Sequence, residues 1–159
     1  MALEFSAEAK TELEAIRAKY PVAQAALLPA LYIAQREFGH VSLEAMEYVG
    51  SLLGLSPARV LGVATFYTMF NKEAVGKYLV QVCMNLPCCL RGAEEMFNYI
   101  SKKLGVKNGE TTKDGKFTLM KVECLGACGS APMMQVNDDY YENLTPAKVD
   151  EILARLANA

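Results

Sequence analysis

Four of the five cysteines fall into two closely spaced pairs, and these are the residues with the clearest capacity for chemistry. Four residues separate Cys83 from Cys88, and three separate Cys124 from Cys128. Thiolates bind zinc and iron–sulfur clusters, and both kinds of site can use four of them. In a reducing compartment, an odd number of cysteines favours metal binding over disulfides. We therefore predict one inorganic centre held by these four side chains.

Three inorganic centres compete for this ligand set. A Cys₄ zinc site tolerates such spacings, whereas a 2Fe–2S cluster takes two thiolates on each iron. A 4Fe–4S cluster also takes four thiolates, but its bacterial signature is a tighter run of cysteines. Small residues around the second pair, at Gly126, Ala127, Gly129 and Ser130, let backbone N–H groups approach a negatively charged cluster. The pattern favours the two-iron cluster over zinc and leaves both open, and four merely buried thiols are the least favoured interpretation.

Two further residues are candidates for the site, and we interpret both as bystanders. Cys89 directly follows Cys88, and adjacent residues do not easily ligate one iron together. The rival assignment, with Cys89 as the ligand and Cys88 free, stays open. The single histidine, His40, is interpreted as a loop residue. No catalytic triad or phosphate-binding glycine motif is present, so no catalytic residue is predicted.

Composition predicts a globular protein that neither binds nucleic acid nor enters a membrane. The net charge is −2, 52% of residues are apolar, and the basic residues form no stripe. The longest mainly apolar run, residues 22–34, is shorter than the roughly 20 residues that span a bilayer. Four glutamates in the first twenty residues resemble neither a secretory signal nor a transit peptide. We expect a cytoplasmic protein.

The sequence pattern of residues 1–72 predicts a bundle of helices joined by short connections. Capping serines and helix-stopping glycines mark their ends, and apolar residues recur at helical spacing between them. The predicted helices cover residues 6–19, 23–38, 43–53 and 57 to about 70. Pro29 falls inside the second of these, which indicates either a later start or a kink.

The sequence pattern of residues 73–159 predicts an α/β domain that brings the two cysteine pairs together. Strands at 77–84 and 116–123 flank a helix at 92–104, and a hairpin at 132–141 precedes a last helix from Thr145. A strand–helix–strand unit makes the two strands parallel neighbours, as in thioredoxin. Cys83 lies near the end of the first strand and Cys124 follows the second. Both cysteine loops should therefore leave the sheet at one edge.

Three segments carry a resemblance to a known family. They are GVATFYTMF at Gly62–Phe70, VCMNLPCCLRG at Val82–Gly92 and ECLGACGSAPMMQVNDDYYENLTP at Glu123–Pro146. They resemble the small thioredoxin-like iron–sulfur subunits of the NADH-oxidising module of respiratory complex I. The resemblance extends over nearly the whole chain from about Pro21 onward.

The resemblance implies an N-terminal helical bundle followed by a thioredoxin-like 2Fe–2S ferredoxin domain. It implies a 2Fe–2S cluster held by Cys83 and Cys88 on one iron and by Cys124 and Cys128 on the other. FMN and NADH would bind a separate flavoprotein subunit, and a larger iron–sulfur subunit would be a second partner. The implied role is one-electron transfer beside the flavin, at the cytoplasmic face of the inner membrane.

Other functions stay open at the level of sequence. NAD-reducing hydrogenases and NAD-dependent formate dehydrogenases contain an equivalent subunit, which the sequence does not separate from that of complex I. A free-standing thioredoxin-like ferredoxin needs only the α/β domain of residues 73–159, so the presence of residues 1–72 disfavours this function. A zinc-stabilised interaction module without redox activity is the remaining alternative.

Overall fold

The structure of the protein is a computed structural model that describes residues 3–158. The chain forms two compact units, of which the first ends at Ala74 and the second begins at Val75. In the part of the chain described, no helix combines the length and the apolar character that crossing a bilayer requires.

The first unit is helical, as the capping pattern predicts. Its α-helices, within the described residues, are α1 (Ala7–Arg17), α2 (Leu27–Phe38), α3 (Leu43–Leu53) and α4 (Pro57–Phe66). The hydroxyls of Ser6, Ser42 and Ser56 accept hydrogen bonds from backbone N–H groups three residues onward, at the starts of α1, α3 and α4. Gly39 and Gly54 end α2 and α3 with left-handed φ values of 80° and 66°.

Two helix boundaries differ from the prediction. The segment predicted to start a helix at residue 23 forms a 3₁₀ turn at Ala23–Ala26, and α2 begins only at Leu27. Pro29 therefore lies in the first turn of α2, where a missing N–H leaves no hydrogen bond unmade. Helix α4 ends at Phe66 rather than near residue 70, and the next residues bring Phe70 into the core, where it is fully buried.

The second unit is an α/β domain around a four-stranded sheet. Its elements are β1 (Tyr78–Cys83), α5 (Leu86–Leu90), α6 (Ala93–Leu104), β2 (Phe117–Val122), β3 (Met134–Val136), β4 (Asp139–Tyr141) and α7 (Pro146–Ala157). The strand order is β2–β1–β3–β4. Strands β1 and β2 are parallel, whereas β3 is antiparallel to both β1 and β4. The predicted strands, the parallel pair and the hairpin are confirmed.

The core of this unit lies between the sheet and its two long helices. Val80, Leu119 and Met134 of the sheet are fully buried, and they share one apolar cluster with Ile100 of α6 and Val149 of α7. Burying each such side chain contributes about 1.5–3 kcal/mol before the entropy of ordering it is subtracted. This packing fixes the sheet whose edge carries the cysteines.

The polar loop before β2 folds along the outer edge of that strand. The N–H of Gly109 donates to the Leu119 carbonyl at 2.7 Å, and the N–H of Leu119 donates to the Glu110 carbonyl at 3.1 Å. The N–H of Thr112 donates to the Phe117 carbonyl at 2.8 Å. Backbone groups of β2 that face away from β1 are thus paired by the loop.

Gly76 lies just before β1, where the backbone of the β2 entry approaches closely. A Cβ at this position would lie 2.9 Å from the Gly115 carbonyl oxygen and 2.9 Å from the Lys116 carbonyl carbon. Backbone atoms cannot rotate aside as a side chain can. We expect Gly76→Ala to lower the free energy of unfolding by about 1–3 kcal/mol, as measured by denaturant titration.

Gly62→Ala is the control for this substitution. Gly62 is exposed within α4, and a Cβ there would meet no atom within 4 Å. We expect this change to be neutral or to stabilise the chain by up to about 1 kcal/mol, since alanine is the better helix former. Equal destabilisation by the two substitutions would contradict the close approach at Gly76.

Candidate metal centre

Cys83 is the last residue of β1 and is placed by the sheet itself. Its N–H donates to the Met133 carbonyl at 3.3 Å, and its Sγ lies 3.9 Å from the Glu123 carbonyl oxygen. The residue is only 2% exposed. The parallel register sets Cys83 opposite Val122, so the loop after β2 begins beside it. The predicted convergence of the two cysteine loops at one sheet edge is confirmed for the backbone.

Cys88 lies on the short helix α5, where the sequence predicted a loop. The Asn85 side chain accepts a hydrogen bond from the Leu86 N–H at 2.8 Å, and Pro87 occupies the first turn, where its missing N–H is harmless. The asparagine and proline are the signal that the prediction overlooked. Cys88 is 1% exposed and belongs to the same small buried cluster as Cys83.

The surroundings of Cys88 disfavour its thiolate form. Burial raises the pKa of Cys88 to about 11, helped by a hydrogen bond with Cys83 and by the nearby Cys83 and Cys128 thiols. A backbone hydrogen bond from Met133 acts in the opposite direction. Without a cation the thiol therefore stays protonated, and a metal would be needed to hold it as thiolate.

Cys124 and Cys128 lie on the loop after β2, and both are exposed. Gly126 turns this loop with a φ of 77°, and a 3₁₀ turn runs over Cys128–Ser130. Leu125 and Ala127 pack against the buried cluster that contains Cys83 and Cys88. The loop thus presents one thiol on each side of residues that contact the buried pair.

The structure brings these four residues together unevenly. Cys83 and Cys88 lie in one buried cluster, and Cys128 lies near enough to raise the pKa of Cys88. No three or more Cys, His, Asp or Glu side chains among residues 3–158 are arranged around one metal ion. A 2Fe–2S cluster asks for two thiolates per iron rather than four around one ion. Cys83 and Cys88 share one buried cluster, and Cys124 and Cys128 lie on the adjoining loop.

The residues that surround the cysteines fit such a cluster. The donors are soft thiols, and the buried pair packs in an apolar cluster with Ala93, Ala131 and Met133. A Cβ at Gly129 or at Gly126 would meet no atom within 4 Å, so the loop backbone is accessible on that side. Accessible N–H groups are what the negative charge of a cluster requires.

Cys89 and His40 occupy different surroundings. Cys89 is exposed, and its Sγ donates to the Met84 carbonyl at 3.1 Å, outside the buried cluster of thiols. His40 lies in the first unit, between α2 and α3, and is partly buried. The structure therefore sets Cys88, rather than Cys89, against Cys83.

Sequence reasoning missed one contact with the second cysteine loop. The Tyr140 hydroxyl donates to the Leu125 carbonyl at 2.7 Å. Side chains alternate along a strand, so Tyr140 and Tyr141 must point to opposite faces of the sheet. This alternation could have indicated that the two tyrosines have different surroundings, but it does not identify Leu125 as the partner of Tyr140.

Comparison with known proteins places these features in a family. Residues 13–157 match the family described as thioredoxin-like [2Fe-2S] ferredoxin. The chain is 51% identical over 148 residues to the E-type subunit of NADH-quinone oxidoreductase from Rickettsia conorii, covering 91% of this chain and 89% of the relative. It is 48% identical over 158 residues to the mitochondrial NADH dehydrogenase [ubiquinone] flavoprotein 2 of Dictyostelium discoideum, covering 98% of this chain and 64% of the relative.

A solved structure supports the same fold. An NAD⁺-reducing [NiFe]-hydrogenase in its H₂-reduced state superposes with a TM-score of 0.73 at 20% identity, over 83% of this chain and 22% of that longer chain. At this identity the likeness concerns the fold alone. Together with the family match, it confirms the predicted fold class, a helical region followed by a thioredoxin-like ferredoxin domain.

The buried and exposed thiols should differ in reactivity in the reduced, cluster-free chain. We expect Cys83 and Cys88 to be alkylated by iodoacetamide at about pH 8 at least roughly ten-fold more slowly than Cys89, because burial limits the access of the reagent to both and the raised pKa of Cys88 suppresses its thiolate. Peptide mass spectrometry over a time course measures each rate. In denaturant all five should react alike, and equal rates for Cys88 and Cys89 in the folded chain would contradict this placement.

Proposed function

The chain belongs to the thioredoxin-like [2Fe-2S] ferredoxin family, and we propose that it is the electron-transfer subunit of an NADH:quinone oxidoreductase. Family membership indicates the cofactor, one 2Fe–2S cluster. The observation that carries the proposal is the meeting of two cysteine loops at one sheet edge, with Cys83 and Cys88 buried in contact. The high identity to subunits of that enzyme, over nine-tenths of the chain, supports the choice of complex.

We propose that Cys83 and Cys88 bind one iron, and that Cys124 and Cys128 bind the other. The burial of Cys88 against Cys83, and the exposure of Cys89, support this assignment over the rival one. Two thiolates per iron satisfy the ligand needs of a two-iron cluster.

The division of the cysteines into a buried and an exposed pair suits electron transfer. A bound 2Fe–2S cluster takes up and releases single electrons. The residues around Cys83 and Cys88 would keep water from one side of the site, which favours a well-defined reduction potential. The exposed loop carrying Cys124 and Cys128 would leave the other side within reach of a redox partner.

The proposal includes partners and a location. NADH and FMN would bind a separate flavoprotein subunit, and a larger iron–sulfur subunit would take the electrons further. This chain would act as a redox subunit without a substrate site of its own, at the cytoplasmic face of the inner membrane. Residues 1–72 would serve as the helical docking region and residues 73–159 as the cluster domain. The names of the relatives support membership of such an enzyme complex.

A second candidate is the equivalent subunit of an NAD-reducing hydrogenase or of an NAD-dependent formate dehydrogenase. The fold shared with the hydrogenase favours this candidate. Affinity purification of the tagged chain from its own cells distinguishes the two assignments. Co-purification of NADH:quinone oxidoreductase activity supports the first proposal, whereas co-purification of hydrogenase or formate dehydrogenase activity supports the second.

Substitution of each proposed ligand should destroy the cluster. We expect Cys83→Ser, Cys88→Ser, Cys124→Ser and Cys128→Ser each to lose most of the iron, the acid-labile sulfide and the EPR signal of the dithionite-reduced chain, because each removes one of four thiolates. Cys89→Ser is the matched control and should retain all three. Zinc in a colourless protein, or full iron content in all four variants, would overturn the proposal.

The charge of Glu123 should affect the reduction potential of the cluster. Glu123 is exposed and directly precedes Cys124, and a reduced cluster carries one more negative charge than an oxidised one. We expect Glu123→Gln to raise the potential by on the order of tens of millivolts, the scale of one solvent-screened charge. Glu151→Gln, on an exposed position of α7, is the charge-matched control. A redox titration that shows no rise, or a fall, would contradict this effect.

A further inference from the structure

The two cysteine loops are held in place by different means. Cys83 and Cys88 belong to a strand and a helix whose burial fixes them. Cys124 and Cys128 are exposed, and the loop between them has no regular structure up to the 3₁₀ turn at Cys128. Other parts of the chain must therefore set the geometry of the second pair.

The segment Tyr140–Leu144, at the end of the hairpin, contacts the loop that carries Cys124 and Cys128. We call it the anchor segment. The Tyr140 hydroxyl donates to the Leu125 carbonyl at 2.7 Å. The Ser130 hydroxyl donates to Glu142 Oε1 at 2.7 Å, and the Asn143 N–H donates to the Ser130 carbonyl at 2.7 Å. These hydrogen bonds meet the loop one residue after Cys124 and two residues after Cys128.

The anchor segment is itself firmly fixed. Asn143 adopts a left-handed φ of 48°, which turns its N–H toward the loop. The next residue, Leu144, is buried and donates its N–H to the Pro132 carbonyl at 2.9 Å. Lys148 of α7 donates to the Glu142 carbonyl at 2.6 Å. The segment therefore transmits the rigidity of the sheet and of α7 to the cysteine loop.

We propose that Tyr140 and Glu142 are positioning residues that hold the Cys124–Cys128 loop in the conformation that retains the cluster. This inference rests on the proposed function and adds residues that are not ligands. A carbonyl and the N–H of the next residue lie in one peptide plane and point in opposite directions. Holding the Leu125 carbonyl therefore fixes the N–H of Gly126, while Glu142 holds the other end of the loop through Ser130.

The first test compares two neighbouring tyrosines. Tyr140→Phe removes the hydroxyl that binds Leu125, whereas Tyr141→Phe removes a hydroxyl that accepts from Arg155 at 2.9 Å, away from the loop. The full-length protein with its cluster is mixed with excess EDTA, and the loss of visible absorbance is followed. We expect Tyr140→Phe to lose the cluster about three- to ten-fold faster, the scale of one hydrogen bond, and Tyr141→Phe to match the unaltered protein.

The EPR spectrum of the reduced protein provides a second readout, one that a general loss of stability would not move. We expect the signal of Tyr140→Phe to shift or broaden, because a freer loop changes the surroundings of the second iron, and that of Tyr141→Phe to stay unchanged. Equal rates and identical spectra for both variants would overturn the role of Tyr140. Equal acceleration in both would also overturn it, since the effect would then belong to the hairpin as a whole.

A second pair of variants separates position from charge at Glu142. Glu142→Ala removes the acceptor of the Ser130 hydroxyl, whereas Glu142→Gln removes the charge and keeps an acceptor oxygen. We expect the alanine variant to lose the cluster several-fold faster and the glutamine variant to keep the original rate. If both variants behave alike, Glu142 does not position the loop. If Tyr140→Phe unfolds, the two Glu142 variants still test whether the anchor segment positions the loop.

The unaltered protein distinguishes failure of the proposed function from failure of the positioning role. If it carries no 2Fe–2S cluster as isolated, the proposed function fails and the anchor segment has nothing to position. If it carries the cluster, and the Tyr140 and Glu142 variants all retain it at the original rate, the function stands and the positioning role is rejected.

Discussion

The parallel pairing of β1 and β2 is the constraint on which the rest of the second unit depends. Parallel neighbours end at the same edge of a sheet, so a cysteine at the end of one strand and a cysteine after the other must start from adjacent points. The register that sets Cys83 opposite Val122 does this here. Any slip of the pairing would separate the loops and send alternate side chains to the wrong face. The core formed by the sheet, α6 and α7 therefore also maintains the site.

The site joins two environments that favour different properties. Apolar neighbours bury Cys83 and Cys88, and this burial raises the pKa of Cys88, so that a bound cation would favour its thiolate form. The loop that carries Cys124 and Cys128 is exposed, and hydrogen bonds with Tyr140, Glu142 and Asn143 hold it. One cysteine pair is therefore buried, and the other faces solvent.

Local signals in the sequence were sufficient for most elements, and the failures have physical causes. Capping serines and glycines located the helices because they report short-range hydrogen bonds. The early end of α4 was missed because it depends on burying Phe70 in a core assembled from distant segments. The contact from Tyr140 to Leu125 was likewise invisible, since it joins residues brought together only by the sheet. The spacing of the cysteines could be read from the sequence, but the contacts that hold their loops could not.

The loop folded along the outer side of β2 has a consequence for association between copies of this chain. An uncovered strand edge offers free N–H and carbonyl groups to another chain and so invites aggregation. In this unit one edge is paired by residues 109–112, and the other is β4, only three residues long. The sheet of this unit therefore offers few unpaired backbone groups for edge-to-edge association with another copy.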